Sequence, residues 1–335
     1  MKIAVTTAAL NEEAIIGQVL SAIKKQTRQP DEVVIVNDGS TDKTGQIIKE
    51  FSKKNPNIKY IYQEWAGPAN ARNKAWRNTN SDICVFTDCN CVPKNNWIEE
   101  LIKPFSDKSV GATGGTYETI NTESILARFI GHEIAWKYRN VKGEIEAHGT
   151  YNLAVRRKVL EEIGGFNEDY TKPSGEDWDL TYKISKKYKI IYVPTAIVKT
   201  KHHPEKFWEY MKYQARRAFD RMKLYNDHPD RTSHDVYTPK IVKYQIVGSG
   251  LLLISLPLLI PIFPVSFFIP VSIFIFLLCT TLIPFPYFFK TDPAVAIFSI
   301  PVQFVRNFTW LVGMIKGGMT FGFIKIIIGT IKSGM

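Results

Sequence analysis

Cysteine is scarce in this 335-residue chain: four residues, at positions 84, 89, 91 and 279, with no second CxxC and no His pair at zinc-finger spacing. That excludes a disulfide framework and a zinc ribbon as organising devices. Glycine-rich phosphate cradles are missing as well. No GxGxxG follows the first apolar run and no GxxxxGK[ST] occurs in the first half, so fingerprint dinucleotide binding and P-loop chemistry lose support. The start, MKIAVTTAALNEE, lacks the long apolar stretch of a secretion signal and reads as a first strand, with the front of the chain expected in a reducing cytosol. Acid is nearly absent from the end. Residues 241–335 hold six Lys and Arg but a single acid, Asp292.

Charge of either sign is missing from Tyr244 to Phe289, a stretch that includes GLLLISLPLLIPIF and PVSIFIFLLCTTLIPF. A membrane-crossing helix needs about 20 apolar residues, so the length suits two passes with a turn near Pro261 to Pro264. A buried hairpin in a soluble globule is the other reading, but core helices usually keep a polar face. From Pro293 to Gly318, Arg306 divides the apolar sequence into pieces too short to span, which leaves an interfacial or re-entrant helix and a third pass both open. Lys290, Lys316, Lys325 and Lys332 favour a cytoplasmic C-terminus. The net charge of +11 is shared between the first 240 residues, at +6, and the last 95, at +5. Anionic lipid explains the second part better than nucleic acid does.

What precedes the apolar region is an alternation of short strands and amphipathic helices: KIAVTTAA, NEEAIIGQVLSAIKKQ, DEVVIVNDGS, TDKTGQIIKEFSKK, IKYIYQ, GPANARNKAWRN and SDICVFTDCN. The pattern predicts right-handed crossovers and a mainly parallel sheet with helices on both faces. Ligands of such sheets sit at the carboxyl ends of the strands. There the sequence puts Asn37-Asp38-Gly39-Ser40 and Asp88-Cys89-Asn90. The second cluster lies in CVFTDCNCVP, where Cys-x-Cys invites a soft metal and Asp-x-Asn a hard one. Carboxylates at strand ends suit a metal-bridged diphosphate, or the N–H and hydroxyl groups of a nucleoside.

An ordered set of motifs then stands out: Thr7-Ala8-Ala9-Leu10-Asn11-Glu12-Glu13, Val36-Asn37-Asp38-Gly39-Ser40-Thr41-Asp42, Gly67-Pro68-Ala69-Asn70-Ala71-Arg72-Asn73 and Phe86-Thr87-Asp88-Cys89-Asn90. Later come Tyr151-Asn152-Leu153-Ala154-Val155-Arg156-Arg157, Gly164-Gly165-Phe166-Asn167-Glu168 and Gly175-Glu176-Asp177-Trp178-Asp179-Leu180. Over residues 2 to 220 the chain resembles the inverting family-2 glycosyltransferases of the GT-A fold. The resemblance implies that Asp38 meets the nucleotide base and Arg72 the base or phosphate, with Ala8, Asn11 and Glu12 also on the nucleotide side. Asp88 and Asn90 stand where the family's Asp-x-Asp motif bridges ribose, diphosphate and a divalent cation, Mn²⁺ or Mg²⁺. Asp177 matches the catalytic base. The acceptor side is expected to hold Asn152, Glu176, Trp178 and Arg217. His202 and His203, directly before Pro204, are open to two readings, a completion of the metal site or a solvated loop pair. Two departures stand: Thr-Ala-Ala-Leu replaces the commoner Pro-x-Tyr, and Asn90 replaces the second Asp, keeping an oxygen ligand while giving up a charge.

The organisation expected is a GT-A domain over 1–203, a basic amphipathic helix and linker over 204–240, two transmembrane helices over 241–290 and interfacial or re-entrant helices over 291–335. In the second segment Phe207, Met211, Ala218, Met222 and Tyr225 share one face, as a membrane-surface helix would require. Gln214-Ala215-Arg216-Arg217-Ala218 resembles the QxxRW motif of processive polysaccharide synthases without its Trp. The whole reads as a multi-pass protein of the cell membrane with its catalytic domain in the cytoplasm, using a nucleotide-diphosphate sugar and a lipid-linked or glycolipid acceptor. Polyprenyl (dolichyl) phosphate sugar synthase and processive polysaccharide synthase are the enzymatic alternatives. A nucleotide-sugar-binding subunit without catalysis, and a channel or transporter with a regulatory domain, are the non-enzymatic ones.

Overall fold

The computed structural model describes residues 1–173, 175–201, 203–231, 240–259 and 266–322. In chain order the elements are β1 (Ile3–Ala9), α1 (Ile16–Ile23), β2 (Glu32–Asp38), α2 (Thr44–Lys54), β3 (Ile58–Gln63), α3 (Pro68–Arg77), β4 (Ile83–Thr87), β5 (Cys91–Pro93), α4 (Trp97–Ile102), β6 (Val110–Thr119), α5 (Ile125–Tyr138), β7 (Gly143–Ile145), β8 (Asn152–Arg156), α6 (Arg157–Ile163), α7 (Glu176–Ser185) and β9 (Lys189–Thr200). They continue with α8 (Phe207–Asp227), α9 (Lys240–Ser255), α10 (Phe268–Thr281), α11 (Phe285–Thr291) and α12 (Pro293–Phe321). Two compact units result: residues 1–120 with 141–202, and residues 121–140 with 203–335. The first unit ends at residue 202 and the second resumes at residue 203. The inclusion of 121–140 in the second unit has no counterpart in the sequence reading.

The first unit is built on one nine-stranded sheet in the order β3-β2-β1-β4-β8-β6-β9-β5, with β7 paired to β9. Strands β1 to β4 are parallel to one another, as the strand–helix alternation predicts. Adjacent residues of β2 serve opposite faces: Val33 and Ile35 pack with Val19 and Leu20 of α1, while Val34 and Val36 pack with Ala71 and Ala75 of α3. Helices therefore cover both faces of this half. Beyond β4 the sheet is mixed: β6 and β9 run parallel, and antiparallel strands are added to them. Strand β8 runs antiparallel to both β4 and β6, and β5 and β7 run antiparallel to β9.

In the second unit α12 is one continuous helix of 29 residues, long enough for the third pass that the sequence left open beside an interfacial or re-entrant helix. Arg306 does not interrupt it. Its Nη1 donates to both carboxylate oxygens of Glu133 on α5, at 2.7 and 2.8 Å, and to Tyr210 Oη on α8 at 3.1 Å. Burial works to raise the Glu133 carboxyl, but Arg306 and Lys137 carry it below the usual carboxylate range. Three segments are long and apolar enough to cross a membrane: Lys240–Leu259, Phe268–Thr291 and Pro293–Phe321. The turn expected at Pro261 to Pro264 lies outside the described residues, as do Lys325 and Lys332.

The face of α8 expected to meet a membrane surface is covered instead. Met211, Ala218, Met222 and Tyr225 are buried, and Trp310 Nε1 of α12 donates to Gln214 Oε1 at 2.8 Å. Gly313 and Gly317 make the fit possible, since a Cβ on either would come within 2.3 Å of the Ala215 carbonyl oxygen or 2.6 Å of that of Phe219. The amphipathic stripe of α8 is thus a helix–helix seam. Replacing Glu133 with Ala would leave the Arg306 charge buried without its carboxylate, and a loss of about 3–5 kcal/mol is expected. Thermal unfolding of the purified protein in detergent would read this as a clear fall in melting temperature; an unchanged midpoint would show that the pair contributes nothing.

Candidate active site

The carboxyl ends of β1, β2 and β4 gather most of the polar residues singled out in the sequence. Asp88 follows β4, and its Oδ1 accepts from Arg72 Nη2 at 2.9 Å. The same guanidinium donates through Nη1 to Glu176 Oε1 at 2.7 Å. Arg72 lies one turn into α3, which starts with Pro68 at its first position, and it is only 9% exposed. Burial acts to lower the Arg72 pKa, and Asp88 and Glu176 outweigh it, so the side chain is held charged. One buried cation therefore ties the end of β4 to the start of α7.

Asp177 comes next in the chain after Glu176. It lies in the first turn of α7, half-buried, with Oδ1 accepting from the Trp178 backbone N–H at 2.9 Å. Its Oδ2 faces Gly149: a Cβ there would stand 3.2 Å from that oxygen and 2.7 Å from the Tyr151 ring. The glycine keeps space open beside the carboxylate.

Asn90 turns its amide toward β1. Asn90 Nδ2 donates to Glu12 Oε1 at 3.0 Å, and the Glu12 backbone N–H donates to Thr44 Oγ1 at 2.7 Å. Asn11 takes the left-handed conformation, φ +55°, with its Oδ1 accepting from Thr41 N at 2.9 Å. The loop after β1, which also holds Ala8 at its root, is thereby pinned to the loop after β2. Among the described residues no group of three His, Cys, Asp or Glu side chains could hold a metal. Asp88 and Asn90 still supply two hard oxygens, and Asp88 keeps its Oδ2 clear of the Arg72 bond, with a side chain 36% exposed. Such a donor set fits Mg²⁺ or Mn²⁺, which take one or two protein oxygens and complete their shell with substrate phosphate and water.

Several expected site residues are engaged elsewhere. Asp38 is 3% exposed. Its Oδ1 accepts from Gln63 Nε2 at 2.7 Å and Ala66 N at 2.9 Å, and its Oδ2 from Gly67 N at 3.0 Å. It is a clasp for the β3–α3 loop, and a direct contact with a base is not what its oxygens are arranged for. Asn152 is fully buried: Nδ2 donates to the Thr116 and Ala196 carbonyls at 2.7 and 2.8 Å, and Oδ1 accepts from Trp97 Nε1 at 2.7 Å. With both amide hydrogens and the oxygen used, it joins β8 to its neighbours and presents nothing to an acceptor. Glu176 is bound to Arg72, and Trp178 is 6% exposed against Tyr182. Arg217 and His203 belong to the second unit. Arg217 lies over the Tyr213 ring, 5.2 Å from its centroid, and the His203 carbonyl accepts from Asn121 Nδ2 at 3.3 Å. His202 lies outside the described residues.

Two partnerships escaped the sequence reading. Glu168 accepts from Asn70 and Asn73 of α3, each at 2.7 Å, and Gly67 lets the same loop approach: at φ +93°, a Cβ there would lie 2.2 Å from the Thr171 oxygen. The GGFNE motif thus braces α3. No local pattern announces a partner almost 100 residues away.

The Cys-x-Cys alternative loses its basis. Cys84, Cys89 and Cys91 are buried; burial pushes the Cys84 and Cys89 thiols up to about 12 and Cys91 well above its ordinary value. A protonated thiol is neither a metal ligand nor a nucleophile. Maleimide at pH 7.5 should leave all three unmodified until the protein is denatured, as peptide mass spectrometry would show. Labelling of Cys89 or Cys91 in the native protein would reopen the soft-metal reading.

Residues 4–164 match the family model described as Glycosyl transferase family 2. The probable glycosyltransferase YdaM of Bacillus subtilis is 31% identical over 215 residues, covering 58% of this chain and 50% of YdaM. The O-antigen chain rhamnosyltransferase WbaN of Salmonella anatum is 29% identical over 204 residues, covering 57% of this chain and 63% of WbaN. The chain thus spans about half to under two thirds of these relatives' length. Among solved structures, the mannosyltransferase PcManGT from Pyrobaculum calidifontis, in complex with GDP-Man and Mn²⁺, superposes with a TM-score of 0.55 at 20% identity, covering 99% of this chain and 86% of that one. That likeness concerns the fold, which is GT-A followed by apolar helices.

Proposed function

Because residues 4–164 match the family model of glycosyltransferase family 2, we propose that the chain is an inverting enzyme of that family, moving a sugar from a nucleotide-diphosphate sugar to a membrane-embedded acceptor, a lipid-linked sugar or glycolipid, at the cytoplasmic face. The observation that carries this reading is the Arg72 bridge. It holds Asp88, on the leaving-group side, and Glu176, the neighbour of the base Asp177, to one buried cation. The neighbour PcManGT, solved with GDP-Man and Mn²⁺, supports a nucleotide-sugar donor and a divalent ion. WbaN, named for O-antigen chains, supports an acceptor that is itself a sugar. The three apolar helices support an acceptor held in lipid.

Asp88 and Asn90 would hold the divalent cation, which supplies Lewis-acid stabilisation of the departing nucleoside diphosphate. Arg72 adds a fixed positive charge beside Asp88. On the opposite side, the Asp177 carboxylate takes the proton of the acceptor hydroxyl as its oxygen bonds to the anomeric carbon. The bond from that carbon to the phosphate oxygen breaks with its electron pair leaving on the diphosphate. A single displacement inverts the centre and needs one base, so no second carboxylate acts as a nucleophile.

Substitution Asp177→Asn should lower kcat by about 10²- to 10⁴-fold with donor affinity nearly unchanged, because the carboxylate acts on the acceptor. The assay is Mn²⁺-dependent release of nucleoside diphosphate across a panel of nucleotide sugars, with membrane lipid extracts as acceptors. Full activity in the variant would overturn the assignment of the base. Donor binding without turnover on any extract would favour a binding subunit instead.

A further inference from the structure

Asp38 directs its carboxylate inward, so what the β2 end offers to a ligand is the loop that Asp38 holds. That loop is fixed at three points by Gln63 Nε2, Ala66 N and Gly67 N, at 2.7, 2.9 and 3.0 Å from Asp38. Gly39 closes the other side: it takes φ +79°, and a Cβ there would stand 2.8 Å from the Trp65 backbone nitrogen. Between these anchors Trp65 is 55% exposed, and its ring meets no other ring or cation among the described residues. A large indole left open to water on a loop this tightly clasped forgoes burial that most tryptophans obtain. It stands at the carboxyl edge of a parallel sheet, where ligands of such folds bind.

We infer that Trp65 is the stacking platform for the base of the nucleotide donor, with Asp38 acting through it as a positioning residue. The inference rests on the transferase reading for the identity of the ligand. A rigid aromatic face loses little entropy on binding, and stacking accepts any base because each has a π-face. Recognition of this kind gives affinity for nucleotides with little discrimination between uracil and guanine.

Isothermal titration of the full chain in detergent with Mn²⁺ tests this, using UDP, GDP and pyrophosphate as probes. Trp65→Ala should weaken UDP and GDP by similar factors, about tenfold each, while pyrophosphate binds as to the wild type; Trp65→Phe should restore most of the loss. Unchanged nucleotide affinity in Trp65→Ala, or an equal loss for pyrophosphate, overturns the platform. Turnover is followed alongside. A wild-type protein that binds UDP or GDP but releases no nucleoside diphosphate from any sugar donor removes the transferase reading alone, and one that binds no nucleotide removes both.

Discussion

The amino-terminal unit depends on a charge that cannot afford to be alone. Arg72 is almost fully buried, and a guanidinium in that position is tolerable only because two carboxylates from different parts of the chain meet it. The consequence is geometric as much as energetic. The fork of Nη1 and Nη2 sets where Asp88 ends β4 and where Glu176 starts α7, and planar guanidinium geometry leaves little freedom in either. Asp177 inherits its place from Glu176 through a single peptide link.

The same rule governs the second unit. Arg306 in an apolar helix costs roughly 2.5–3.5 kcal/mol at a bilayer centre on insertion scales when unpaired. Here it is 5% exposed and joined to Glu133 and Tyr210 within the helical bundle. A sequence window around Arg306 contains no acid nearer than Asp292, so a charge counted without its partner divided the apolar run. The partner stands 173 residues earlier. Hydropathy reported the composition of α12 and left its choice between a third pass and an interfacial helix open, because the cost of Arg306 depended on a tertiary pair.

The parallel half of the sheet, the helices on its two faces and the strand-end clusters were legible because each follows from periodicity and short connections. At the candidate site the placement was partly legible: Asp88, Asn90 and Asp177 occur in local motifs that put them at strand or helix ends, and Arg72 lies one turn inside α3. What stayed hidden was which polar atoms the protein itself consumes. Asn152 and Asp38 look like ligand contacts in one dimension, yet Asn152 is a joint of β8 and Asp38 a clasp on the next loop. The antiparallel strands were hidden for a related reason, since β5 and β7 are three residues each and carry no period to read.

Asn90 shows how the local surroundings explain a departure from a motif. Its amide donates to Glu12 Oε1 at 3.0 Å. A carboxylate at position 90 would face the Glu12 carboxylate at the same separation, and two like charges that close resist joint ionisation unless a cation or proton stands between them. The neutral amide removes that conflict and gives Glu12 a donor, while keeping an oxygen among the groups at the β4 end. The negative charge given up at residue 90 is thus retained nearby at residue 12, on a loop that Asn11, Thr41 and Thr44 hold in place. Read with its neighbour, the Asp-x-Asn sequence redistributes the acidic character of the strand end without abolishing it, and the hard-oxygen character of the site persists.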